Sequence, residues 1–424
     1  VIGWSSSPLY RFQCSTCGAG YPAEPFLYLC PSCVNNQPAT CPPWGVLEVV
    51  YEYDRLRETL RWEDIAHPRP GGPPSFAELL PLANLESLPP LAVGDTALYS
   101  GGRLGERLGM RALYLKDESR NPTGSYKDRA SLLVVAKARE AGVRTVCAAS
   151  TGNAATALAG MCAAVGMECV VLVPQTAPPA KLTQMLIYGA RVFPVRGNYD
   201  QAFDLSTRAC ERLGWYNRNT AYNPFTIDGK RTAAFELCAQ LGRRPPDSLW
   251  VPVGDGVILA GLWKGFKDLR RLGWIDRLPR LIAVQADGSD AIVEALENDR
   301  PEPLPVAGAH SIADSIVVEA PRNGLMALRD VRESGGRGVR VTDAEILEGM
   351  ALLGRHTGLF AEPSSSAAVA ALVKEREAGR VGEDECAVVL LTGTGLKDPA
   401  AAGRAVALPA AIEPDLDALL GALD

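Results

Sequence analysis

A chain of 424 residues with 47% hydrophobic and 22% charged residues has the balance of a globular protein, and at ~150 residues per domain it holds two or three compact units. Its 43 Lys and Arg against 49 Asp and Glu leave a formal charge of -6, which supplies no basic field for nucleic acid or an anionic membrane, so the expected ligand is a small molecule. No stretch reaches the ~20 uninterrupted apolar residues of a bilayer span, and Val1 to Gln13 lacks a basic start followed by an apolar run, so the expected location is cytoplasmic.

The first unit is set by Cys14, Cys17, Cys30 and Cys33, which read C-S-T-C-G and then C-P-S-C. Two such knuckles offer four thiolates, a set that suits tetrahedral zinc and leaves no open position, so the metal is expected to be structural. Disulfides or unliganded thiols are the alternatives, the former disfavoured in a reducing compartment. Cys41 is a spare, and the six remaining cysteines, Cys147, Cys162, Cys169, Cys210, Cys238 and Cys386, sit in apolar segments where a thiol behaves as a small hydrophobe.

Residues 34–95 are rich in Pro and Gly and read as an extended connector over the surface, with a short helix expected between Tyr51 and Trp62. From Leu113 onward, apolar runs at Thr145–Ala149, Cys169–Val173, Leu249–Val253, Leu281–Gln285 and Ala387–Leu391 alternate with Ala-rich helical stretches. Buried strands separated by helices give parallel sheets flanked by helices, an α/β class.

Four polar turns lie at or near the ends of such strands, where ligands of open α/β sheets bind. The first, Lys116 to Arg129, leads into a helix with Lys127 near its start, where amides and the positive dipole favour an anion and lower an amine pKa. Ser150-Thr151-Gly152-Asn153 opens the next helix and is either an anion site or a plain N-cap. Gly254-Asp255-Gly256-Val257-Ile258 lets the backbone approach a phosphate, though it is neither a Walker loop nor a dinucleotide fingerprint. Thr392-Gly393-Thr394-Gly395 closes the last strand, while Glu362-Pro363-Ser364 opens the helix before it.

The order of lysine turn, Ser-Thr-Gly-Asn turn, glycine loop and Thr-Gly turn resembles the fold type II pyridoxal-phosphate enzymes, and among them the threonine synthases. The likeness runs from about Asp95 to Asp398 and includes Asn121-Pro-Thr-Gly-Ser-Tyr-Lys127-Asp-Arg129, Asn223-Pro-Phe-Thr-Ile-Asp-Gly229, Ser311-Ile-Ala-Asp-Ser-Ile316 and Glu362-Pro-Ser-Ser365. It implies a two-domain, tryptophan synthase β-like architecture: a zinc ribbon over 1–45, the connector and first part of the large domain over 46–129, a small domain over 130–222, and the rest of the large domain over 223–424. It also implies a homodimer.

The reaction implied is elimination and replacement on a small L-amino acid, O-phosphohomoserine plus water giving threonine plus phosphate. Deamination of threonine or serine, or β- or γ-replacement on another amino acid, stays open. By the same resemblance Lys127 is the Schiff-base lysine and proton carrier of pyridoxal 5'-phosphate, and Asn153 meets the ring hydroxyl. Gly254, Asp255, Gly256, Val257 and Ile258 cradle its phosphate, and Thr392 faces the pyridine nitrogen. Ser150, Thr151 and Gly152 hold the substrate carboxylate, with Arg129 as a further substrate contact. The chain departs from the family pattern at Thr226, where an arginine is common, so the charge for a leaving phosphate has to come from Arg129, Lys181, Lys230 or Arg231.

Overall fold

In this computed structural model of the protein the described residues are 9–36, 44–69, 72–150, 152–175, 177 and 179–423. Three sheets organise them. The N-terminal sheet is antiparallel, in the order β2-β1-β3, built from β1 (Tyr10–Cys14), β2 (Gly20–Tyr21) and β3 (Leu47–Tyr51). Its third strand therefore lies beyond residue 45. The segment expected to be one helix between Tyr51 and Trp62 instead starts as the end of β3, and helices follow at Tyr53–Thr59 and Trp62–Ile65.

The connector is less superficial than its composition suggests. Phe76, Ala77, Leu79, Leu80 and Leu82 are all buried in the main core, and Trp62 packs edge-on against Phe76. Each Phe or Leu side chain among them contributes about 1.5–3 kcal/mol when removed from water, so Pro and Gly here shape a path along the core.

The largest sheet has the order β12-β11-β10-β13-β5-β4, from β4 (Leu98–Ser100), β5 (Leu113–Asp117), β10 (Ser248–Pro252), β11 (Arg280–Ala286), β12 (Arg337–Val341) and β13 (Ala387–Leu391). All its pairings are parallel except β4 with β5. The third sheet, β8-β7-β6-β9, is wholly parallel and comprises β6 (Thr145–Ala149), β7 (Glu168–Pro174), β8 (Arg191–Val195) and β9 (Tyr216–Asn217). Every residue of β6, β10 and β13 is buried, which is why these strands read as unbroken apolar runs and not as alternations. The apolar runs expected at Thr145–Ala149 and Ala387–Leu391 coincide with β6 and β13.

The helices that open at Lys127, Asn153 and Pro363 are buried on most of their surface, whereas the one after β10 carries a clear apolar stripe. In Val257–Arg271, Leu259, Leu262, Trp263, Phe266 and Leu269 recur at three- and four-residue spacing and are buried, while Arg270 and Arg271 occupy the last turn, where the helix dipole favours cations. The architecture is α/β with parallel sheets flanked by helices. The ends of β5, β6, β10 and β13 all point toward one cleft.

Candidate active site

The cleft holds a cavity of about 390 Å³, large enough for a cofactor with a small substrate. Lys127 opens the helix Lys127–Glu140 and faces the cavity, half-buried, and its amine has no hydrogen-bond or ion-pair partner among the described residues. Burial lowers its pKa below the ordinary lysine value; Arg218 pushes the same way, and Glu362 and Asp255 oppose it. An amine so placed is easier to deprotonate and hence a better nucleophile and base.

Ser150, Gly152 and Asn153 line the opposite wall. Gly152 is the N-cap of Asn153–Ala164 and provides no side-chain cap; the Gly152 amide reaches Ser150 Oγ at 3.3 Å. Asn153 Nδ2 lies 3.0 Å from both carboxylate oxygens of Glu362. Thr151 lies outside the described residues.

The glycine loop after β10 forms the third wall. Gly256 has φ +91°, and a Cβ there would come within 2.7 Å of Ala327 Cβ and 3.1 Å of the Asn323 carbonyl, while one on Gly254 would meet Ile316 Cα at 3.0 Å. At Gly256 the left-handed backbone and the 2.7 Å approach both require glycine, and at Gly254 a side chain would press on the Ile316 backbone. No side chain caps the helix that follows, and the amides of Val257, Ile258 and Leu259 donate to no group among the described residues. These orphaned donors at a helix N-terminus are an anion cradle, and with the free Lys127 amine across the cavity they fit a phosphorylated aldehyde such as pyridoxal 5'-phosphate. Asp255 takes a 3.1 Å hydrogen bond from the Arg322 amide, which ties its carboxylate to the neighbouring segment.

Thr392, at the end of β13, is buried, with Oγ1 3.1 Å from Ser365 Oγ. The Ser365 hydroxyl is also 2.9 Å from the Gly393 amide, so the turn is fixed from the side away from the cavity.

Arg129 stands apart from this group. It lies beneath the cavity, fully buried, with Nε 2.7 Å from Glu118 and Nη1 2.5 Å from Glu236, which also binds Lys116 at 2.8 Å. Two residues along a helix from Lys127 it is rotated by about 200°, so it points into the core. Its role as a substrate contact is corrected accordingly: it neutralises buried carboxylates and holds the Lys127 helix. Arg231 is likewise committed, to Asp228 at 3.1 Å and Asp268 at 2.6 Å. The side chain of Lys181 lies outside what is described.

Three further cations lie at or behind the cavity wall: Arg322 and Lys230 line it, and Arg218 sits behind the lining residue Thr220; Arg322 is paired with Asp200. Lys230 is fully buried, and its amine has as its one hydrogen-bond partner among the described residues the Thr226 carbonyl at 3.1 Å. Arg218, also buried, donates to Ser131 at 3.3 Å and to Thr220 at 2.9 Å, and its Nη2 is unsatisfied. Neither meets a carboxylate among the described residues. Desolvation pushes the Arg218 pKa down to about 10 and that of Lys230 well below its ordinary value, with Arg218 and Lys127 adding to the latter. Glu362, buried at the cavity wall, was read in the sequence as a residue opening a helix and as part of the Glu362-Pro-Ser-Ser365 motif, without a role at the site.

Away from the cleft, the sulfurs of Cys14, Cys17, Cys30 and Cys33 all lie within 4.8 Å of one another, with Cys14–Cys33 and Cys17–Cys30 at 3.7 Å. A tetrahedron with ~2.3 Å zinc–sulfur bonds has edges of ~3.8 Å, whereas a disulfide needs ~2.05 Å. The four thiols fit a metal ion, and they are not disulfide-bonded.

Residues 90–393 match the family described as pyridoxal-phosphate dependent enzyme. The chain belongs to that family. It is a pyridoxal-phosphate dependent lyase with the fold type II architecture. It is 38% identical to the threonine synthase of Methanocaldococcus jannaschii over 96% of this chain and 98% of that protein. It is 36% identical to the threonine synthase of Methanosarcina acetivorans over 98% and 99%. Among solved structures it is similar to the processed form of threonine deaminase isoform 2 from Solanum lycopersicum, with TM-score 0.64 and 20% identity over 76% of this chain and 91% of that one, a likeness of fold. No described helix is long and apolar enough to cross a membrane.

Proposed function

We propose that this enzyme is a threonine synthase, which converts O-phosphohomoserine and water to threonine and phosphate. The observation that carries the reading beyond the relatives is the pair Lys230, which lines the cavity, and Arg218, which lies behind its Thr220 wall: two buried cations without an ion-paired carboxylate among the described residues. An unpaired buried charge costs several kcal/mol, and a dianionic leaving phosphate removes that cost. Lys230 sits one helical turn beyond Thr226 in Phe225–Lys230, so the charge missing at Thr226 is supplied four residues on, from the same helix face.

In this reading the Ser150–Asn153 turn binds the substrate carboxylate through hydroxyl and helix-end amides. The bound pyridoxal phosphate supplies an electron sink that stabilises negative charge on the substrate carbons. Lys127 then moves protons on those carbons, helped by its lowered pKa. Asn153 and Thr392 flank the cofactor ring, Gly254, Asp255, Gly256, Val257 and Ile258 surround its phosphate, and Glu362 holds the Asn153 amide in place. Lys230 and Arg218 hold the departing phosphate until water adds at the β-carbon.

Structural zinc at Cys14, Cys17, Cys30 and Cys33 belongs to the same reading, as do a cytoplasmic location, a homodimer, and a small domain over 130–222 inserted in a larger one. The 3.7 Å sulfur separations support the zinc. Offering O-phosphohomoserine, threonine and serine to the purified protein tests the reaction. Threonine and phosphate in equal amounts from the first are expected; ammonia from the other two, without phosphate release, would make it a deaminase.

A further inference from the structure

The N-terminal cysteine cluster is remote from the cavity in sequence, yet the Gly45–Val46 segment leads from one to the other. Gly45 has φ +82°, and a Cβ there would lie 3.1 Å from the Cβ atoms of both Cys30 and Cys33. Its amide donates to Thr16 Oγ1 at 3.1 Å, and its carbonyl accepts from the Cys30 amide at 2.8 Å. Val46 follows, its carbonyl accepting from the Ser15 amide at 3.0 Å. The Gly45–Val46 backbone is thus clamped between the two knuckles that carry the four sulfurs.

The Val46 side chain leaves the ribbon altogether. It is 4% exposed and packs with Ala221, Ile227, Val257, Ala260 and Met326. Val257 carries the first orphaned amide of the phosphate cradle, and Ile227 lies on the short helix that ends at Lys230. Two more ribbon contacts converge there: the Tyr51 hydroxyl donates to Asp228, and the Tyr28 hydroxyl accepts from the Asn217 amide at 3.0 Å, one residue before Arg218. Interiors are close-packed and transmit small displacements, so the position of Val46 is passed directly to the anion-binding residues.

We propose that Val46 is a positioning residue, through which a metal ion bound by the four cysteines sets the geometry of the cofactor-phosphate cradle and of the Lys230 helix. The proposal rests on the pyridoxal-phosphate and zinc readings above. It predicts that loss of the metal, or oxidation of its thiols, weakens cofactor binding although none of the four ligating cysteines lines the cavity.

The test uses the full-length holoenzyme, with the cofactor dissociation constant read from the visible absorbance retained after dialysis and hydrogen exchange followed at the amides of residues 257–260. Val46→Ala is compared with Val381→Ala, an equal deletion at a residue 1% exposed in the other large core. Val46→Ala should raise the cofactor dissociation constant about tenfold and quicken exchange at 257–260, while Val381→Ala changes neither beyond twofold. Stripping the metal with a chelator should reproduce the Val46→Ala values in the wild type and add little to them in the variant. Unchanged cofactor affinity in Val46→Ala, an equal effect of Val381→Ala, or full additivity with the chelator would overturn the coupling. Purified protein holding neither zinc nor cofactor would overturn the readings beneath it, and the proposal with them.

Discussion

Replacing Lys230 by methionine separates its function from its structural effect, because the two change in opposite directions. Lys230 is a buried cation whose pKa is lowered well below the ordinary value by desolvation, with Arg218 and Lys127 adding to it. The folded state therefore binds that proton more weakly than the unfolded chain. The resulting penalty is present in full below the folded pKa, and it disappears as pH rises from there through the unfolded value near ~10.4. At neutral pH an apolar side chain of similar length should stabilise the protein by about 1–4 kcal/mol. With ~2.1 cal/mol/K per residue over 424 residues, that raises Tm by about 1–4 °C. Catalysis should move the other way. Losing one of two cations that hold the leaving phosphate costs about 2–3.5 kcal/mol, a fall in kcat/KM for O-phosphohomoserine of about 30- to 300-fold. Steady-state phosphate release and thermal unfolding at pH 7.5 read the two effects on one preparation. A variant with kcat/KM within twofold of wild type, or one that loses both activity and stability, would refute the phosphate-site reasoning.

Three other outcomes are expected. Gly256→Ala forces a side chain into left-handed backbone at φ +91° and against Ala327, so it should cost about 1–3 kcal/mol and release the cofactor, as seen by loss of visible absorbance on dialysis. Arg129→Met leaves Glu118 and Glu236 without their shared guanidinium and should destabilise by about 3–5 kcal/mol in denaturant unfolding, while the KM of whatever folded enzyme remains stays within about threefold. The Asp128 carboxyl, buried beside Thr123, is pushed up to about 6 by desolvation. A folded pKa above the unfolded ~3.9 means this group's contribution falls as pH rises from about 4 to about 6 and is flat beyond. That component should be missing from the pH–stability curve of Asp128→Asn.

How much of this was legible in sequence depended on the range of the signal. Fully buried strands announce themselves as apolar runs, so β6 and β13 were readable to the residue, and the turns at their ends followed. The metal knuckles were legible because ligand spacing is local. Arg129 misled because nearness in sequence to Lys127 is not nearness in space on a helix, and its carboxylate partner Glu236 lies 107 residues away. Arg218 follows a strand of two residues, Tyr216–Asn217, too short to carry a pattern. Lys230 was recoverable, since four-residue spacing from Thr226 puts both on one helix face, but only the fold shows that it has no ion-pair partner among the described residues. The Pro- and Gly-rich connector hid Phe76, Leu79 and Leu80, whose burial comes from tertiary packing.

The central claim is that phosphate leaves from carbon and water then adds to carbon. Turnover of O-phosphohomoserine in water enriched in oxygen-18, with both products analysed by mass spectrometry, tests it directly. Carbon–oxygen cleavage followed by addition puts one labelled oxygen in threonine and none in phosphate. Label in the phosphate would mean hydrolysis at phosphorus, and unlabelled threonine or no threonine would contradict the account.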